Sequence, residues 1–153
     1  MEPYVEMRKG AKRDFVEACT KFYIKELNLT NSRYELVVIN EPNMMKTKGL
    51  NGGIMQYGPR EICILLDSRL PLFQLTLTLA HEMIHVKQVA KGRLRTELRD
   101  DKMVNYWLGK EMDVEYYFRP WEREAWAQER ELAYRLNYCM EQQLDRVLFF
   151  CNW

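Results

Sequence analysis

Apolar residues fall at helical spacing in three stretches of the chain and cluster as short β-forming runs in three more. Between Lys9 and Leu27, the residues Phe15, Ala18, Cys19, Phe22 and Leu27 share one side of a 3.6-residue period, with charges between them. That pattern predicts an amphipathic first helix. Asn28 to Ser32 is a polar break, and Tyr34 to Ile39 is rich in β-formers and predicts a strand. Glu41-Pro42-Asn43 turns the chain, and Lys46 to Gly53 reads as a glycine-rich, mobile segment. Ile54 to Tyr57 predicts a second strand and Gly58-Pro59 a turn. Glu61 to Asp67 is almost wholly apolar and predicts a buried third strand.

That strand leads into a second helix. Pro71 suits its first turn, Asp67 or Ser68 could cap it, and Phe73, Leu77, Ala80 and Ile84 form its apolar stripe. Gly92 is the expected stop, with Lys87, Lys91 and Arg93 near the carboxyl end, where the dipole favours cations. The charged stretch that follows, to Lys102, reads as a solvated helix end and loop. Met103 to Tyr117 fits either a hairpin around Leu108-Gly109-Lys110 or a loop. Pro120 opens a long final helix to about Phe149, with Ala125, Leu132, Leu136, Cys139 and Leu144 as core positions. The order predicts an α+β domain. A small, mainly antiparallel three-stranded sheet would pack on an N-terminal helix, a central helix and a long C-terminal helix.

Composition adds bounds. The 153 residues suit a single domain, and 47% hydrophobic with 29% charged residues is ordinary for a globular protein. A net charge of +1 gives no overall pull toward nucleic acid or membrane, and the basic run from Lys87 to Arg99 is interrupted by Glu97. Of the four cysteines, Cys19, Cys63 and Cys139 sit in apolar patterns as expected buried thiols, and none forms a C-x-x-C pair. Met1 to Tyr4 lacks a signal-like apolar core, and no run approaches a membrane span. The expected setting is reducing and cytoplasmic, for a monomer with no membrane or nucleic-acid partner.

The chemistry concentrates in the central helix. Its run His81-Glu82-Met83-Ile84-His85 is H-E-x-x-H and contains both histidines of the chain. Histidines four apart project from one helix face and can reach one zinc ion, with Glu82 beside them to take a proton from a bound water. A catalytic zinc usually has a third protein ligand, and no third histidine exists here. The segment Pro120-Trp121-Glu122-Arg123-Glu124-Ala125 offers two carboxylates in the first turns of a helix. Glu122 and Glu124 point to roughly opposite faces, so at most one can serve, and periodicity does not choose between them. Asp100, Asp101 and Asp113 are further candidates.

The run Thr78-Leu79-Ala80-His81-Glu82-Met83-Ile84-His85 resembles the zinc helix of SprT-like and related minimal zincin metallopeptidases. The Pro120 to Ala125 run is similar to a P-x-E-x-E-A element of small bacterial and phage gluzincin-like proteins, in which a glutamate of the second helix completes the zinc site. The resemblance spans roughly residues 34 to 135. It implies a zincin-like fold and assigns the third ligand to Glu124, with Glu122 second. Gln88 and Lys91 stand where metzincins need Gly and His, Gln128 departs from the thermolysin-like pattern, and no zinc ribbon follows.

The function so implied is hydrolysis of peptide bonds in a protein or peptide substrate. Zinc on His81, His85 and Glu124 would activate water, with Glu82 as general base. The alternative is a catalytically silent zinc-binding interaction protein, which has no use for Glu82. An oxyanion donor is also required, and Tyr116, Tyr117 and Arg119 lie near the second motif without a choice among them. Such a fold presents its zinc helix beneath a sheet edge able to pair with an extended peptide. Gly52 and Gly53 would allow close backbone approach there or simply form a turn.

Overall fold

A computed structural model describes the backbone of residues 1–151, and the side chains of these residues except Met45 and 144–151. It contains two sheets and four α-helices. The first sheet comprises β1 (Pro3–Glu6), β2 (Glu35–Asn40), β3 (Gly52–Gly58) and β4 (Glu61–Leu66), in the spatial order β1-β2-β4-β3. β1 and β4 both pair with β2 in parallel, and β3 pairs antiparallel with β4 at the edge. The second sheet is antiparallel and three-stranded: β5 (Leu94–Arg99), β6 (Lys102–Trp107) and β7 (Lys110–Met112).

The α+β class and the long C-terminal helix match the sequence expectation, but the sheet does not. The three expected strands lie in a four-stranded mixed sheet, where two of three pairings are parallel. The small antiparallel three-stranded sheet is built instead from residues 94–112, expected to be loop and an unresolved hairpin or loop. β1 escaped notice because four residues show too little alternation to register. Pairing β1 with β2 in parallel requires a crossover, and α1 (Ala11–Glu26) supplies it.

The second sheet depends on two tight turns. Asp100 and Asp101 have φ of 51° and 60°, and Leu108 and Gly109 have φ of 50° and 82°. Two consecutive residues of positive φ make the turn that matches strand twist in a two-residue hairpin. An Asp-Asp pair is a weak sequence signal for that turn. The three arginines of the charged stretch are also occupied: Arg93 with Glu124, Arg95 with Glu97, and Arg99 with Glu111 at 2.6 Å.

α1 buries Val16, Cys19, Thr20, Tyr23 and Ile24, so its inner face is rotated from the expected stripe and Ala18 faces solvent. The Tyr23 hydroxyl donates to the Thr76 carbonyl at 3.0 Å and ties α1 to α3 (Leu72–Ala90). In α3, Ala80 and Ile84 are fully buried as expected, while Phe73 is exposed. Leu75, Leu79, Met83 and Val86 are buried as well, so this helix is covered on most of its circumference. Pro71 occupies the N-cap position, and no side chain caps the helix. Gly92 ends it as expected: its φ is 68°, its N–H bonds the Val89 carbonyl, and the Arg93 N–H bonds the Gln88 carbonyl, each at 2.9 Å.

Residues Met44–Lys48 form a short helix, α2, rather than part of a mobile loop, and Met44 is buried. The last helix, α4, spans Pro120–Cys151. Ala125, Leu132 and Leu136 are in its core face and Cys139 is exposed, contrary to expectation; the Leu144 side chain lies outside the described residues. Cys19 and Cys63 are buried, and burial pushes the Cys19 thiol up to about 12. Among the described residues, no helix is long and apolar enough to cross a membrane.

Candidate metal centre

His81 and His85 project from the middle of α3 toward the first two turns of α4. The three atoms His81 Nε2, His85 Nε2 and Glu122 Oε2 form a triangle with sides of 3.1, 3.2 and 3.4 Å. A tetrahedral zinc with nitrogen and oxygen ligands at about 2.0–2.1 Å requires ligand atoms about 3.3 Å apart. The donor set, two imidazoles and one carboxylate, is that of open hydrolytic zinc sites. Size and chemistry both fit.

The expectation for Glu124 is corrected. Its carboxylate accepts two hydrogen bonds from the Arg93 guanidinium, at 2.8 and 2.6 Å, on the far side of α4. Glu122 takes the place beside the histidines. The two glutamates are about 200° apart around the helix, so seating one at the triangle turns the other away. Asp100 and Asp101 lie in the β5–β6 turn, and neither they nor Asp113 joins the cluster.

Each histidine is held from its other ring nitrogen. His81 Nδ1 lies 2.6 Å from Glu129 Oε2, and His85 Nδ1 lies 2.8 Å from Gln88 Oε1. A carboxylate can only accept, so Nδ1 of His81 carries the proton and Nε2 is left free to ligate. The amide of Gln88 is oriented by its second bond, from Nε2 to the Trp121 carbonyl at 3.0 Å. Its oxygen therefore faces His85, which becomes the same tautomer. Sequence reasoning missed both partners. The signals were present: Gln88 follows His85 by three residues and Glu129 follows Glu122 by seven, each on the same helix face.

Without metal the cluster shares protons. Burial works against a charge on His81, but hydrogen bonds with Glu122 and Glu129 outweigh it and raise the imidazole to about 10. Burial likewise opposes ionisation of Glu122, yet hydrogen bonds from His81 and His85 hold that carboxyl down at about 2. His85 is also shifted upward, against its burial, chiefly by its hydrogen bond with Glu122. Glu82 is 6% exposed, and burial drives its carboxyl above the usual carboxylate range despite the neighbouring histidines.

Glu82 and His81 line a groove with two compartments of about 300 and 360 Å³. Leu50, Gly52 and Tyr116 line both compartments, as His81 and Glu82 do, so the two adjoin at these residues. The edge strand β3 begins there. A Cβ on Gly52 would lie 2.7 Å from Thr78 Cγ2 and 3.3 Å from Glu82 Cγ, so a side chain at this position would collide with α3. Of the three oxyanion candidates, Tyr116 and Arg119 line the groove and Tyr117 does not. Tyr116 stands in a 3-10 turn, Tyr116–Phe118, just before α4. Burial and the Glu122 charge push its phenol upward, so it stays a donor.

No family model, no curated protein and no solved structure matches this chain. The resemblance to SprT-like peptidases therefore rests on the two sequence motifs alone.

Proposed function

We propose that the protein is a zinc-dependent peptidase of zincin-like fold, a monomer acting on protein or peptide substrates in the cytoplasm. The observation that carries this reading is the triangle of His81 Nε2, His85 Nε2 and Glu122 Oε2 with Glu82 buried beside it. His81, His85 and Glu122 would hold the metal, which would supply an acidified water and polarise a bound carbonyl. Glu82 is placed to take a proton from a water at this site and to deliver it to a leaving amine. Tyr116 donates its hydroxyl hydrogen to the oxyanion that develops on the carbonyl, a role matched by its place on both compartments of the groove beside Glu82. The free edge of β3 pairs with the substrate backbone, and Gly52 lets that edge approach α3. The unpaired, buried thiols of Cys19 and Cys63 fit a reducing compartment.

The test combines elemental analysis with a cleavage assay on a degenerate peptide library. One zinc per chain, lost in His85→Ala and retained in Glu82→Gln, is expected, with cleavage by wild type and none by Glu82→Gln. A chain that takes up no zinc after reconstitution would sink the reading. Zinc binding with no Glu82-dependent cleavage would leave a metal-organised interaction domain in its place.

A further inference from the structure

The two compartments of the groove differ in charge. One is lined by Glu129 and Thr78, next to the segment from Gly49 to Gly52. The other is lined by Ile54, Leu94, Met103 and Trp121, by the carboxylates of Glu82 and Glu122, and by Arg119, the one arginine or lysine on either compartment. Arg119 is held but not neutralised. Its Nε donates to the Val114 carbonyl at 3.4 Å, and its guanidinium carbon lies 5.5 Å from the Tyr116 ring and 5.9 Å from the Trp121 ring. Arg13, Arg93, Arg95, Arg99 and Arg135 each pair with a carboxylate; among the described residues Arg119 forms no ion pair, as is also true of Arg8, Arg33, Arg60, Arg69, Arg123 and Arg130.

We propose that Arg119 receives a carboxylate of the substrate in this compartment, either an acidic side chain or a free peptide C-terminus. The inference rests on the peptidase reading above. With Nε committed to Val114, the two terminal nitrogens remain as a planar pair of donors, the geometry that matches a carboxylate. The flanking rings restrain the guanidinium and shield it from water, which strengthens the contact. Glu82 lines both compartments and Glu122 this one, whereas Glu129 lines only the opposite compartment and Arg119 only this one, so an acidic group is better received on the Arg119 side. The aliphatic wall of Leu94 and Met103 accepts the carbon chain that carries the carboxylate.

The experiment uses full-length protein loaded with zinc. Two matched peptide sets are built on a sequence cleaved from the degenerate library. One set is amidated and places glutamate or glutamine at each position in turn; the other is neutral and ends in a free or an amidated C-terminus. Wild type is expected to favour the carboxylate member of one set by about tenfold or more in kcat/KM. The set that responds names the source of the carboxylate. In Arg119→Gln that ratio falls to about one, and Arg119→Lys recovers part of it. A wild-type ratio near one overturns the proposal, as does an undiminished ratio in Arg119→Gln. Equal loss on both members of a set assigns Arg119 to the oxyanion and also overturns it. Fluorescence anisotropy of labelled glutamate and glutamine peptides on Glu82→Gln gives the same comparison without turnover. Should wild type cleave nothing, the peptidase reading fails, and this binding ratio alone decides the role of Arg119.

Discussion

Glu122 and Glu124, two residues apart on α4, hold opposite partners: Glu122 Oε2 sits 3.2 Å from His81 Nε2, while Glu124 takes both arms of Arg93. The Arg93 guanidinium also lies 4.7 Å from the Trp107 ring, so Glu124 fastens the second sheet to α4. Glu122→Gln is expected to lose tightly bound zinc. Glu124→Gln is expected to keep it and to lose about 1 kcal/mol of stability, a figure kept low because Arg93 is partly exposed. Zinc content and thermal melting of the two variants check this, and zinc loss in Glu124→Gln alone would reverse the assignment.

Glu129 acts on the metal site through His81. Glu129→Ala is expected to weaken zinc binding by about 10- to 100-fold, because Nδ1 loses the acceptor that fixes the ring and its tautomer. Glu129→Gln keeps an acceptor and should lose less. Competition against a chelator of known affinity measures both, and unchanged affinity in Glu129→Ala would remove Glu129 from the site.

Gly52 is required by close approach and not by backbone conformation. Gly52→Ala places a methyl 2.7 Å from Thr78 Cγ2, with the Leu65 carbonyl oxygen at 3.2 Å, and is expected to cost about 1–3 kcal/mol. Thr78→Ser removes that Cγ2, so the double variant should recover part of the loss. A double-mutant cycle by urea unfolding measures the coupling, which should be clearly non-zero.

Proton release should accompany metal binding. The folded, metal-free protein holds His81 protonated up to about pH 10, and zinc must displace that proton. Apparent zinc affinity should therefore rise with pH below about 10, by about tenfold per unit for each proton displaced. Calorimetry in buffers of different ionisation enthalpy counts the protons.

The same shifts set the stability of the metal-free form. The His81 contribution is present in full below its ordinary 6.5 and is lost as pH rises through about 10. The Glu122 contribution is present above its ordinary 4.5 and is lost as pH falls through about 2. Both arise from one contact and are not additive. Urea midpoints of metal-free protein should peak between about pH 4.5 and 6.5, and zinc should extend the plateau to higher pH.

Local pattern in the sequence determined a good deal. The H-E-x-x-H helix, its glycine stop, the strands around residues 35–40, 54–58 and 61–66, and the helix opened by Pro120 are all local matters of period, cap and turn. The α+β class follows from their order. What only the tertiary structure decided was which groups meet. The choice of Glu122 over Glu124 depends on the rotation of α4 about its axis, and that rotation is set by packing against α3 and by the Arg93 fork. Periodicity could not supply it, since both glutamates flank the apolar stripe almost symmetrically. The parallel pairing of β2 with β1 and β4 is likewise a long-range choice, made by the α1 crossover. The second sheet was hidden because its strands are charged and its turns use Asp-Asp and Leu-Gly at positive φ, so neither alternation nor turn chemistry marked it strongly. Cys139 followed the helical period and still faces solvent, because among the described side chains of α4 burial ends at Leu136.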